Sequence, residues 1–170
     1  MAKISYLDFD LLIEREGKKY RAQVLNSPAG QATAEFRLPF SEVELENFLL
    51  RVGRTRRSVR RLESPEMEAA KTFGGQLFNA VFSGDVRACL HSSLDETSQQ
   101  GNGLRLRLRL ATVPELADLP WEYLYHPALN RFLSLSTETP LVRYLDLPER
   151  IQPLAVKPPL RLLVHRCINC

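Results

Sequence analysis

Most of the features from which function is commonly read are scarce in this chain. Its 170 residues include three cysteines and three histidines. Two of the cysteines, Cys167 and Cys170, fall in the last four positions, so no disulfide framework can be built from them. Long hydrophobic runs are missing too. The longest uncharged stretch, Thr72 to Gly84, already contains Gln76 and Asn79, and a membrane helix needs about 20 mostly apolar residues. The opening MAKISYLDFD has one lysine and early acids where a secretory signal would have a basic and then an apolar region. No excess of one charge stands out either, since 23 Lys and Arg against 20 Asp and Glu leave a net charge of +3. These absences exclude a secreted disulfide scaffold and a helical membrane protein, and they point to a cytoplasmic chain. Apolar residues at 44% are enough for an ordinary globular core.

The motifs of common chemistries are also missing. No phosphate-binding G-x-x-x-x-G-K-[ST], dinucleotide G-x-G-x-x-G, zinc-binding H-E-x-x-H or serine-hydrolase G-x-S-x-G occurs. Cys89 and His91 offer a thiol and an imidazole, but residues i and i+2 of a helix point about 200° apart and cannot bond. Cys89 sits with Val86 and Leu90 on an apolar face and reads as a buried structural thiol. His126, before Pro127, has no visible partner and reads as a loop histidine. Asp8 and Asp10 share one strand face and are as readily solvent-facing as catalytic. His165, Cys167 and Cys170 supply three of the four ligands structural zinc needs and read as a terminus with incidental thiols. No catalytic, metal or cofactor site is assigned on these residues.

What the chain does have is clear periodicity. Leu7, Phe9, Leu11 and Ile13 alternate with Asp8, Asp10 and Leu12, predicting a half-buried strand. After Glu16-Gly17-Lys18, Tyr20, Ala22 and Val24 repeat the pattern, and after Ser27-Pro28-Ala29-Gly30 so do Ala32, Ala34, Phe36 and Leu38. Short turns make these an antiparallel meander. Ser41 and Glu44 then form a capping box, with Phe40 and Leu45 as a hydrophobic staple. Leu45, Phe48, Leu49 and Val52 follow as a helical stripe ending at Gly53.

A second helix opens at Ser64-Pro65 and buries Met67, Ala70, Gly74, Leu77 and Val81, flanked by Phe73 and Phe78. Paired glycines weaken a helix, so Gly74-Gly75 predicts a close backbone approach. Asp85 is placed to cap a third helix bearing Val86, Cys89, Leu90 and Leu94, which ends at Gly101-Asn102-Gly103. From Leu104 to Leu110 leucine and arginine alternate strictly. This is a strand with a leucine face inward and Arg105, Arg107 and Arg109 outward; a one-sided sheet needs no anion ligand to explain them.

Eight of the eleven prolines lie at or beyond Pro114, which excludes long helices there. One or two helical turns are expected between Pro114 and Tyr125, then strands near Phe132–Leu135 and Pro140–Tyr144. Leu147 to Pro159 reads as a linker and Leu160–Val164 as a short buried strand. Six arginines between Arg51 and Arg61 suggest a phosphate or nucleic-acid patch. Glu63, Glu66 and Glu68 offset them and no aromatic residue interleaves, so a solvated loop is preferred and nucleic-acid binding is the weaker alternative. The fold class is α+β: an antiparallel meander and three helices, followed by a strand-rich region with an incomplete sheet.

The segment Val113 to Tyr125, which contains Leu119-Pro120-Trp121-Glu122, resembles the LPWE segment near the start of CHAT domains, the caspase-like cysteine peptidase domains of bacteria. Phe132-Leu133-Ser134-Leu135, Thr139-Pro140-Leu141-Val142-Arg143 and Pro158-Pro159-Leu160-Arg161-Leu162-Leu163-Val164 follow in that family's order. Tyr6 to Asp10 and the Ser27–Gly30 turn are similar to N-terminal extensions found on some of its members. The resemblance implies an N-terminal α+β region over 1–112, the start of a CHAT-like domain over 113–146, a proline-rich linker over 147–159, and a first core strand with a divergent tail over 160–170. The family's catalytic His and Cys lie after that first strand, and neither His165 nor Cys167 matches them, so a truncated, non-catalytic accessory or scaffold portion is expected. It would self-associate, or bind a protein, at the sheet edge formed by Leu160–Val164. Part of a cysteine endopeptidase active only with the missing core is the alternative. Trp121 is read as a structural anchor and Glu122 as an ion-pair partner for Arg143.

Overall fold

The computed structural model describes residues 4–53 and 65–144. The side chains of the Arg51–Arg61 cluster, the linker at 147–159, Leu160–Val164, His165, Cys167 and Cys170 lie outside the described residues. Three strands come first: β1 (Tyr6–Glu16), β2 (Lys19–Asn26) and β3 (Ala32–Phe36), antiparallel in sequence order. Phe9, Leu11, Ile13, Ala22 and Val24 are fully buried, as period-2 alternation requires. A register shift between Asp10 and Leu11 interrupts the β1–β2 ladder.

Helix α1 (Glu42–Gly53) begins at the expected capping box. The Ser41 N–H donates to Glu44 Oε2 at 2.8 Å, and the Glu44 N–H donates back to Ser41 Oγ at 3.3 Å. Its apolar stripe is narrower than the sequence suggests. Phe48 is buried, its ring stacked 4.0 Å from that of Phe73, and Leu45 packs partly buried against the core, whereas Leu49 is exposed.

Helix α2 (Pro65–Val81) buries Ala70, Phe73, Gly74, Gly75, Leu77, Phe78 and Val81. Helix α3 (Gly84–Gln99) starts two residues earlier than an Asp85 cap would place it. Gly84 adopts φ +49°, so the chain turns there, Ser83 occupies the cap position, and Asp85 lies in the first turn near the positive end of the helix.

Strand β4 (Gly103–Arg109) is an interior strand of the sheet. It runs parallel to β1 on one side and to β7 (Leu141–Tyr144) on the other, giving a five-stranded sheet in the order β3-β2-β1-β4-β7. Leu104, Leu106, Leu108 and Leu110 are buried with Phe9, Val81, Phe82 and Leu90 in one core. The alternate residues carry charge: Asp8 meets Arg105 at 2.6 Å and Arg107 at 3.0 Å, and Asp10 meets Arg107 at 3.1 Å. Burial opposes ionisation of Asp8, but the hydrogen bonds and charges of the two arginines outweigh it and hold its pKa below the usual carboxylate value. Arg107 and Arg109 also lie over the Tyr144 ring, at 4.0 and 4.5 Å.

Between β4 and β7 the chain makes short elements only: α4 (Pro114–Ala117), a 3-10 turn at Trp121–Tyr123, the hairpin of β5 (Tyr125–His126) and β6 (Arg131–Phe132), and a second 3-10 turn at Leu133–Leu135. The strand expected over Phe132–Leu135 is therefore a two-residue pairing that passes into a turn, where Ser136 N–H bonds back to the Leu133 carbonyl. The architecture is α+β. No helix among the described residues is long and apolar enough to cross a membrane.

Candidate functional site

The residues singled out in the LPWE-like segment sit where α4 and the first 3-10 turn fold back on themselves. Trp121 is fully buried and donates its indole N–H to the Leu116 carbonyl at 2.7 Å. Its neighbour Glu122 points outward and accepts two bonds from Arg143 on β7, at 2.9 and 3.1 Å. The Arg143 guanidinium also donates to the carbonyls of Ala117 and Leu119 at 2.6 and 3.1 Å. This pair lies at the surface, with the Glu122 side chain 60% and that of Arg143 44% exposed. It ties β7 to the preceding turn.

The backbone of this segment rests on α2. A Cβ on Gly74 would stand 1.8 Å from the Tyr123 carbonyl oxygen, so helix and turn touch main chain to main chain there. That contact fixes where the β5–β6 hairpin begins, and the hairpin in turn forms one wall of a cleft of about 350 Å³. The opposite wall is the C-terminal half of α3, including His91, Asp95 and Thr97. Ile4, Gly103 and Thr139 close its end beside the first residues of β1, β4 and β7.

Within this cleft the structure corrects the reading of His126 as a loop histidine. The side chain is buried at 1% exposure, its ring 4.6 Å from that of Phe78 and 5.1 Å from that of His91. Nδ1 accepts the Leu129 N–H at 3.3 Å. Burial, the neighbouring His91 and the more distant Arg131 and Arg87 outweigh a bond with its own main chain that favours the charged ring, and together press its pKa below the ordinary histidine value. A signal for this was available: Leu124 and His126 are two residues apart in an extended segment, and both are buried on the same side.

Cys89 and His91 do not meet. The Cys89 thiol is 3.2 Å from Ser27 Oγ and 3.7 Å from the Gly30 carbonyl, under the turn between β2 and β3, while His91 is exposed at the cleft. Among the described residues no three His, Cys, Asp or Glu side chains converge as metal ligands. Comparison of the chain with protein-family models, with curated proteins and with solved structures finds no match.

Proposed function

We propose that this chain is a non-catalytic accessory or scaffold portion of a CHAT-type protein and acts through the open end of its sheet. One observation carries the reading: β1, β4 and β7 run parallel, and β7 has no strand partner on its outer side among the described residues. Leu106 N–H donates to the Pro140 carbonyl at 2.9 Å. Residues 140, 142 and 144 therefore bond toward β4, and the main-chain groups of Leu141 and Arg143 face away from it. An edge of this kind accepts a further parallel strand. The apolar run Leu160–Val164 is suited to that place, and its own far edge is then the surface at which a second copy of the chain associates. The Cys89 thiol fits the non-catalytic reading, since it is buried against a serine hydroxyl with no imidazole beside it among the described residues.

The test is sedimentation velocity on the full chain over a range of concentrations. Concentration-dependent association is expected, lost in Leu162→Pro, which removes a strand N–H, and kept in Leu162→Val. A monomer at every concentration, or association indifferent to Leu162→Pro, overturns the edge. Thiol-dependent cleavage of a peptide substrate by this chain alone overturns the non-catalytic assignment.

A further inference from the structure

His126 is a buried titratable group that the accessory reading leaves unused. Each element around it presents something to the ring. From α2 comes the Phe78 ring, and from α3 come His91 in contact and Arg87 and Asp95 nearby. Arg131 on β6 is paired directly opposite, and opposed residues of an antiparallel pair project to the same side. Arg131 is itself engaged by Glu138 at 3.4 Å. No carboxylate among the described residues is a hydrogen-bond partner of the imidazole. With Nδ1 accepting the Leu129 N–H, the ring proton of the neutral form sits on Nε2, where no acceptor among the described residues reaches it.

We propose that His126 is a proton-operated latch: a proton taken up from solvent at Nδ1 breaks the Leu129 bond and releases the β5–β6 hairpin from α2 and α3, opening the cleft. The protonated ring cannot accept from Leu129, and its charge would face His91, Arg131 and Arg87 from a buried position. The closed hairpin therefore excludes the proton, while the open hairpin exposes a histidine of ordinary affinity. Because the closed-state pKa is depressed, the closed form is fully favoured above the ordinary value of about 6.5. Below it the opening constant rises by up to about tenfold per pH unit, until the closed form also titrates.

Amide hydrogen exchange on the full chain, expressed as protection factors to remove the intrinsic pH dependence, tests this. Between about pH 7.5 and about pH 5.5 the Leu129 amide and its hairpin neighbours should lose protection by up to about tenfold, most of it over the last unit. His126→Asn keeps a side-chain acceptor for the Leu129 N–H and removes the titration, so its hairpin protection should not change with pH. His91→Gln removes one neighbouring imidazole and so raises the closed-state pKa, which should leave the onset unchanged but make the loss smaller and level off at a higher pH. Flat Leu129 protection in the wild-type chain, or a loss that persists in His126→Asn, overturns the latch. Should His126→Asn not fold, the ring C–H resonances of wild-type His126 decide. A depressed midpoint with concurrent hairpin opening supports the latch, and an ordinary midpoint with the hairpin unchanged overturns it. Neither result bears on the sheet-edge reading, which is tested at Leu162.

Discussion

In β1, β2 and β4 the core-facing row, every second residue from Phe9, Tyr20 and Leu104, is buried, and most of those residues are aliphatic. Between Val113 and Thr139 burial follows no period: Val113, Leu116, Leu119, Trp121, Leu124, His126, Leu133 and Thr139 are buried at irregular intervals. The first region distributes its packing over a row of similar leucines, any of which has like neighbours on both sides. The second is held by a few residues that each do one thing: an indole anchoring a turn, a glycine admitting a carbonyl, an arginine bridging three segments. The two regions should therefore respond differently to conservative change.

The largest difference is expected at Trp121. Trp121→Ala should destabilise the chain by about 3–5 kcal/mol, and Trp121→Phe by about 1–3 kcal/mol through the smaller ring and the lost bond to Leu116. In the periodic region Leu106→Met should cost less than about 1.5 kcal/mol, since the volume is nearly kept. Urea denaturation of the three variants checks the contrast, and it collapses if Trp121→Phe is tolerated as well as Leu106→Met.

Two adjacent glycines sharpen the same comparison, because they differ in what stands opposite. At Gly74 an added Cβ would overlap the Tyr123 carbonyl oxygen at 1.8 Å, and the obstacle is main chain. Gly74→Ala should cost about 1–3 kcal/mol or more, with the 121–126 turn displaced. At Gly75 the nearest atom is on the Tyr125 ring at 3.8 Å, an ordinary contact. Gly75→Ala should stabilise by up to about 1 kcal/mol through helix propensity. Equal effects at the two sites would mean that α2 does not touch the turn as described.

That glycine pair also marks how far a sequence carries. A glycine doublet inside a helical pattern has a local cost, so a compensating close approach can be inferred, but the pattern does not say what approaches. The strands were legible for the same local reason, as alternation binds each residue to its neighbours two away. The capping box spans only Ser41 to Glu44 and needed nothing distant. The place of β4 was not legible. Its leucine face would suit several neighbours, and its parallel pairings join residues distant in sequence, such as Phe9 with Leu106 and Leu106 with Leu141. Leu49 followed the helical period yet is exposed, because the width of the buried stripe depends on what α1 packs against. His126 was missed because its burial is created by α2 and α3, to which its own segment gives no pointer beyond the two-residue step from Leu124.

The smallest effects are expected at the surface bridge, where they separate the two roles of Arg143. Its charge pair with Glu122 is largely exposed, and such pairs are worth about 0–1 kcal/mol. Its bonds to the Ala117 and Leu119 carbonyls hold β7 against the turn that follows α4, and charge-assisted bonds to main chain contribute more than an exposed ion pair. Glu122→Gln should therefore change stability by no more than about 1 kcal/mol, with the change shrinking in high salt. Arg143→Ala should cost about 1–2 kcal/mol and keep most of that cost in salt. If the two variants are equivalent, and both effects vanish at high ionic strength, the bridge is only a surface ion pair, and the hold of the irregular region on β7 must come from Leu141 and Tyr144 instead.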